Sequence, residues 1–345
     1  MRIGRRTGKG ILRLAFAGAL AAAAFAPLPA SALNILLSND DGFETANVRA
    51  LKQKLEEAGH DVLLSAPTQN NSGKGGSMNF LVPVTPLAKA TRYGTVAAGA
   101  PGVGADPVDA DSHYVDGTPV MSMLYGLDVL AVQRWSAPPD LVISGPNEGN
   151  NLGAINNSSG TMNNALYAIN RGLPAIAVSF EGTSSRAWTA LEADAPEYEL
   201  AAVIVKLVAA LEAQRASDGS LLPRGTGLNV NVPEFEPGEA DALPFRLSRV
   251  GTATDYQPVF FGKLSDSVLA VGFGAGVELP GISFVNAQIP PPAGVVVPID
   301  TRASSELNVM RTHAVSVSVI EGVPQARRSN EDGVKLRLGS LLGLQ

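Results

Sequence analysis

The sequence predicts an α/β protein built on a doubly wound, mostly parallel sheet. Three observations carry this expectation. Short apolar runs with strand character alternate with helical periods from Asn34 to Val232, which is the pattern of strands joined by crossover helices. The first such run, Asn34-Ile35-Leu36-Leu37-Ser38, is almost continuously apolar, as a strand buried on both faces must be. After Pro233 the texture shifts to Gly- and Pro-rich, strand-like segments without a helical period, which suits β-hairpins added to the C-terminal side of such a sheet.

The elements follow in order. Residues 1–32 read as a leader: Arg2, Arg5, Arg6, Lys9 and Arg13 precede an apolar run from Leu14 to Ala26, and Ala30-Ser31-Ala32 supplies the small residues of a cleavage site. The run is shorter than the roughly 20 apolar residues a membrane span needs. A cleaved signal peptide, a chain beginning near Leu33 and a periplasmic or secreted location are therefore expected. Arg5-Arg6 hints at the twin-arginine route, although Thr7-Gly8-Lys9 lacks the apolar residue that should follow.

A helix is predicted from about Asn47 to Ala58, with Val48, Leu51, Leu55 and Ala58 at helical spacing and Gly59 ending it. Val62-Leu63-Leu64-Ser65 completes a β-α-β unit with a right-handed crossover. Residues 66–118 read mostly as loop, with 99–111 a flexible insertion. Asp116-Gly117-Thr118-Pro119 starts a helix reaching about Trp135. Leu141–Ser144 is a strand, Thr161–Arg171 a helix, Ala175–Ser179 a strand, Glu197–Gln214 a helix and Leu228–Val232 a strand. Hairpins are expected to project over about 245–298. Val315–Ile320 alternates Val with Ser, which marks a strand exposed on one face, and a short helix closes the chain. Residues 33–345 thus read as a single domain.

Composition excludes several chemistries. There is no cysteine, hence no disulfide, thiolate nucleophile or Cys-type zinc site. The three histidines, His60, His113 and His313, are far apart and form no zinc motif. Without the leader's five basic residues, 21 basic residues face 32 acidic ones, a net charge of −11. That balance argues against binding a nucleic-acid duplex. A small phosphate ligand stays open, because a bound cation can reverse the local field. No other stretch is apolar enough to enter a membrane.

Ligands of open α/β sheets bind at the carboxyl ends of the strands. Three loops there stand out: Asn39-Asp40-Asp41-Gly42, Asn70-Asn71-Ser72-Gly73-Lys74-Gly75-Gly76-Ser77, and Ser144-Gly145-Pro146-Asn147-Glu148-Gly149-Asn150-Asn151-Leu152-Gly153. Adjacent acids repel unless a cation lies between them. Asp40 and Asp41 are therefore either metal ligands or members of an ordinary solvated Asp-Gly turn. A dehalogenase-type site would place its acids at alternate positions, which these are not. The second loop offers hydroxyls and free N–H groups, without Walker spacing. Lys74 could neutralise charge there or simply be solvated. Ser159-Gly160-Thr161 opens a helix, so it either binds an anion or caps the helix.

Taken together, these loops resemble the SurE family (survival protein E, 5′/3′-nucleotidase). The resemblance runs in order through Ile35 to Gly42, Ala66-Pro67 with Ser72-Gly73, Asp116-Gly117-Thr118-Pro119, Ser144 to Gly153, Ser159-Gly160-Thr161, Gly172 to Ser179 and Leu228 to Pro233, reaching about residue 320. It implies a Rossmann-like sheet, metal ligation by Asp40, Asp41, Ser72 and Asn147, and a phosphate site lined by Asn151, Ser159, Gly160 and Thr161. All-oxygen ligation suits Mg²⁺ or Mn²⁺. The implied reaction is hydrolysis of nucleoside 5′- or 3′-monophosphates, with Asp40 and Asp41 as catalytic residues. A homodimer or homotetramer is implied as well, with the hairpins in contact between subunits. The chain departs from the family pattern at Val120-Met121-Ser122, at Ser158 where a Tyr is usual, at Pro146, and in the longer segment 99–111. The alternative is an exported nucleotide- or phosphate-binding protein without turnover.

Overall fold

A computed structural model of the chain describes Met1 and residues 32–182, 185–286, 288–324, 328–338 and 341–342; residues 2–31, the body of the expected leader, lie outside the described residues. Ala32–Gln345 is a unit of its own. Strand β1 (Asn34–Ser38) leads to helix α1 (Ala46–Glu57) and β2 (Asp61–Pro67). Then come β3 (Val103–Asp106), β4 (Asp109–Val115), α2 (Pro119–Tyr125), α3 (Ala131–Trp135) and β5 (Leu141–Glu148). Next are α4 (Gly160–Asn170), β6 (Ala175–Phe180), α5 (Pro196–Ala213), β7 (Thr226–Val232) and β8 (Phe245–Ser248). The chain continues through β9 (Gln257–Phe261), α6 (Val268–Gly272), β10 (Gly281–Val285), α7 (Glu306–Met310), β11 (Val315–Glu321) and α8 (Arg328–Leu338).

Nine strands form the main sheet in the order β3-β4-β2-β1-β5-β6-β7-β11-β8. From β4 to β7 every neighbour is parallel, so the expected doubly wound α/β architecture holds. The chain runs outward from β1 through β2 and then returns to β5 on the other side of β1. That reversal opens a crevice at the carboxyl ends of β1 and β5, where such sheets bind ligands. One sheet face packs Leu37, Ile143, Val178 and Val230 with α1 and α5 residues such as Leu51 and Leu200. The other packs Leu36, Val142 and Ala177 with Val120, Met123, Ala165 and Ile169 of α2 and α4. Both layers are apolar because both faces of the parallel strands are buried.

Two segments differ from the sequence reading. Residues 99–111 are not a flexible insertion: β3 and β4 pair antiparallel, and β4 extends the sheet alongside β2. The acids of this segment are neutralised from α1. Arg49 reaches Asp106 at 2.7 Å, and Lys52 reaches Asp109 at 3.0 Å. Their local spacing hid partners nearly 60 positions away. Phe245–Ser248, expected among the projecting hairpins, is instead the edge strand of the main sheet, parallel to β11. The hairpin of that region is β9 with β10, a two-stranded antiparallel sheet. No helix among the described residues is long and apolar enough to cross a membrane.

Candidate active site at the switch point

The Asp40-Asp41 turn is built rather than solvated. Gly42 adopts a φ of 120°, which favours glycine, and its N–H donates to Asn39 Oδ1 at 3.0 Å. Asn39 Nδ2 returns a bond to the Gly42 carbonyl at 3.0 Å. The turn thereby folds inward, and Asp40 and Asp41 are 2% and 1% exposed. The surface-turn alternative fails on that burial.

Each acid is held from a different side. Thr161 at the start of α4 donates its hydroxyl to Asp40 Oδ1 at 2.6 Å. Burial raises the Asp40 pKa, while that hydroxyl and the main-chain N–H groups of Asp40, Gly160 and Thr161 oppose the rise. Asp41 receives the Glu148 N–H on Oδ2 at 2.9 Å and Asn70 Nδ2 on Oδ1 at 3.1 Å. Burial, then the charges of Asp40 and Glu148, push the Asp41 carboxyl well above the ordinary range. Two buried acids this close need a counter-charge if both are to ionise.

Asn147 is aimed by an irregularity in β5. The β5–β6 register runs Ser144 to Ala177 and then Asn147 to Ser179, so one extra residue bulges from β5, which re-aims the side chain that follows. Pro146 lies within the bulge, preceded by a cis peptide bond, where a missing N–H is tolerated. Asn147 Nδ2 donates to the Gly149 carbonyl at 2.9 Å, yet its Oδ1 is buried without any hydrogen-bond partner. A buried amide oxygen left without a partner costs about 1–3 kcal/mol, and a cation would satisfy it.

Those features fit a hard divalent ion: two buried carboxylates in adjacent positions, an unsatisfied amide oxygen, and no nitrogen or sulfur donor. Among the described residues there is no group of three or more His, Cys, Asp or Glu side chains placed to hold a metal; a set of two acids, an amide and a hydroxyl falls outside that pattern. Ser72 is the outlying member. It is exposed, and its loop is tied down through the Asn71 N–H to the Asp40 carbonyl at 2.7 Å. Lys74 is likewise exposed.

The Ser159–Thr161 segment plays a different part from the one the resemblance implies. Ser159 Oγ accepts from the Met162 N–H at 3.0 Å and caps α4. The N–H groups of Gly160 and Thr161 turn to Asp40. A Cβ on Gly160 would lie 2.6 Å from Asp40 Cβ, so the glycine exists to let that acid approach the helix. These residues hold a carboxylate, and the helix end supplies the partial positive charge that favours it. Asn151, by contrast, stands on a polar floor. Its N–H donates to Asn231 Oδ1 at 2.9 Å and its Nδ2 to Ser179 Oγ at 2.8 Å.

Sequence reading missed Arg92, Glu148, Asn229, Asn231 and Glu306. Arg92 Nη1 donates to the Asp41 carbonyl at 2.8 Å, and Nη2 reaches Glu148 at 3.0 Å and Ser185 Oγ at 2.6 Å. Glu44, 1% exposed, holds the Arg92 segment by accepting from Thr91 Oγ1 and the Tyr93 and Thr95 N–H groups. A signal did exist for the asparagines. Leu228-Asn229-Val230-Asn231-Val232 places amides at every second position of a buried strand, so they share one face. Arg92 and Glu306 lie in unpatterned segments and gave none.

The fold and site together define a class: doubly wound α/β proteins with an oxygen-donor site at the sheet's switch point. The family description of survival protein SurE matches residues 35–255, and the chain belongs to the SurE family. An acid phosphatase of Yarrowia lipolytica is 35% identical over 234 residues, 67% of this chain and 62% of that protein. A 5′-nucleotidase SurE of Methanocella arvoryzae is 35% identical over 217 residues, 62% of this chain and 72% of that protein. The chain thus spans about two thirds of these relatives. The crystal structure of a SurE protein from Aquifex aeolicus aligns with a TM-score of 0.60 at 24% identity, over 88% of this chain and 98% of that one; it supports the fold.

Proposed function

We propose that the chain is a metal-dependent phosphomonoesterase that hydrolyses nucleoside monophosphates at the 5′ or 3′ position and acts after export. The observation that carries this reading is the buried Asp40–Asp41 pair at the end of β1 together with the unpartnered Asn147 Oδ1 at the end of the neighbouring strand β5. The names of the relatives, an acid phosphatase and 5′-nucleotidases, support the reaction class. Asp40, Asp41, Asn147 and Ser72 would hold the ion, Mg²⁺ or Mn²⁺ by their oxygen chemistry. When bound, such an ion polarises a phosphoryl oxygen and lowers the pKa of water.

The chain's own groups do the rest. One acid of the pair orients the attacking water and takes its proton. Asn151 and the segment after Asn147 orient the phosphate. Arg92 balances Glu148, so the mouth of the site carries less negative charge toward an anionic substrate. Retention of both acids favours turnover over simple binding, since a bare anion binder has no use for two buried carboxylates. Export rests on the leader in residues 1–32, and a dimer or tetramer on the family resemblance.

The test is hydrolysis of a generic phosphomonoester and of a nucleotide panel. Chelator should abolish activity, and Mn²⁺ or Mg²⁺ should restore it. Full activity in Asp41→Ala would sink the proposal. Calorimetric nucleotide binding without product would favour the binding protein instead.

A further inference from the structure

A buried acid outside the ion site is joined to the substrate loop. Glu306 opens α7 and is fully buried. Its Oε1 accepts Asn229 Nδ2 at 2.7 Å, and its Oε2 accepts the Gly153 N–H at 3.4 Å. Asn229 Nδ2 also donates to the Asn151 carbonyl at 3.2 Å, a carbonyl that Asn231 Nδ2 reaches at 3.1 Å. One amide group therefore holds Glu306 with one hydrogen and Asn151 with the other. The row continues across the sheet, because Asn229 pairs in register with Ser318 and Ser318 with Ser248. Ser248 Oγ bonds both Ser316 and Ser318.

We propose that Glu306 is a positioning residue for the Asn151–Gly153 segment, fixing through Asn229 and Gly153 the place from which Asn151 meets the substrate phosphate. The inference rests on the phosphomonoesterase reading. The physical argument is the arrangement of donors. As a carboxylate, Glu306 accepts from every neighbour and orients the Asn229 amide with its nitrogen toward Asn151. A protonated Glu306 must donate. The Asn229 Oδ1, buried and without a partner, can take that proton if the amide turns over. That turn sets an oxygen against the Asn151 carbonyl and removes one of the two bonds that hold it, leaving only the one from Asn231.

Among the described residues, nothing charged faces Glu306. Of the elements packed on α7, β7 carries no titratable side chain, and the charged residues of β8 and β11, Arg246 and Glu321, are exposed. The turn at 153–157 carries none, and Arg249, whose carbonyl takes the Glu306 N–H at 2.9 Å, is itself exposed. Burial, only partly offset by the bonds from Asn229, Ser318, Gly153 and Asn156, raises the carboxyl to about 7. The two hydrogen-bonding states therefore exchange near neutral pH.

The experiment is steady-state hydrolysis of p-nitrophenyl phosphate with saturating Mn²⁺ from about pH 6 to pH 8.5, in wild type and Glu306→Gln. Protonation of the substrate is common to both enzymes and cancels in the comparison. The wild-type KM should rise relative to the variant's own trend as pH falls through about 7. Glu306→Gln should have a KM roughly fivefold above wild type at high pH, the worth of one hydrogen bond, and should converge with wild type at low pH. The kcat of both should stay within about twofold. Parallel KM profiles, or a loss confined to kcat, would overturn the inference. If Glu306→Gln does not fold, Asn229→Ser severs the same link and must remove the same pH step; a surviving step overturns the proposal. If wild type hydrolyses no phosphomonoester, the enzymatic reading has failed, and calorimetry with inorganic phosphate reads the step as a change in Kd.

Discussion

Gly160→Ala separates catalysis from stability at this site. The new Cβ would lie 2.6 Å from Asp40 Cβ, 2.8 Å from Pro119 Cγ and 3.0 Å from Asp40 Cγ. Ordinary carbon contacts sit at roughly 3.5–4.0 Å, so an overlap of about 1 Å must be relieved. Overpacking of this size costs about 1–3 kcal/mol. Alanine in place of glycine inside a helix returns about 1 kcal/mol. Net destabilisation should therefore be no more than about 2 kcal/mol. The proline ring is stiff, so Asp40 is what yields. A shift of about 1 Å in a reacting group costs on the order of 10²-fold. We expect kcat/KM for p-nitrophenyl phosphate with Mn²⁺ to fall about a hundredfold, while Tm drops by less than about 8 °C. Activity within threefold of wild type would show that Asp40 does not depend on its seat against α4.

Further expectations follow from the same contacts. Thr161→Val removes the 2.6 Å bond to Asp40 and should weaken Mn²⁺ binding, read by calorimetry, about tenfold, with Thr161→Ser restoring most of it. Asn147→Leu deletes an oxygen that has no protein partner and one hydrogen bond, from Nδ2 to the Gly149 carbonyl, so stability should fall by only about 1 kcal/mol while cation affinity falls about a hundredfold or more. Arg92→Met releases Glu148 and the Asp41 carbonyl together; kcat/KM should drop about tenfold, chiefly through KM for the anionic substrate. Glu306 supplies a stability test. Burial pushes its carboxyl up from the ordinary 4.5 to about 7 in the folded protein, so its contribution is complete below about pH 4.5 and is lost as pH rises through 7. Glu306→Gln should therefore gain on wild type by roughly 3 kcal/mol between those limits in urea titrations; a constant gap would refute the assignment.

Legibility in the sequence followed the range of the interactions. The first β-α-β unit was readable because periodicity and the Gly59 stop act within a few residues. The candidate ion site was readable in outline, since Asp40, Asp41 and Asn147 lie in compositionally odd loops just after apolar strands. What escaped was whatever depends on distant partners. Residues 99–111 read as a flexible insertion because Arg49 and Lys52, which pair with its acids, are remote in sequence. Gly160 and Thr161 looked like an anion site because a helix N-terminus carries no mark of which anion it holds; here it is Asp40. Glu306 sits in a short helix, and its meaning emerges only when β7 and β11 are set side by side.

The way the two acids are divided between layers explains why adjacent carboxylates suit this switch point. Asp40 is fixed by α4, the crossover helix packed on one face of the sheet. Asp41 is fixed by the Glu148 N–H, at the end of the neighbouring strand β5. Neither acid can move without disturbing a different element, and the pair is pre-set at the cost of mutual repulsion. A single carboxylate on this turn would be anchored on one side only. The repulsion would make the proposed site selective for a small doubly charged cation, because a monovalent ion leaves half of it uncompensated and a bulky organic cation cannot enter between groups this buried. Calorimetry should accordingly show Mn²⁺ and Mg²⁺ binding competitively at one site, with no measurable heat from Na⁺ at the same concentration.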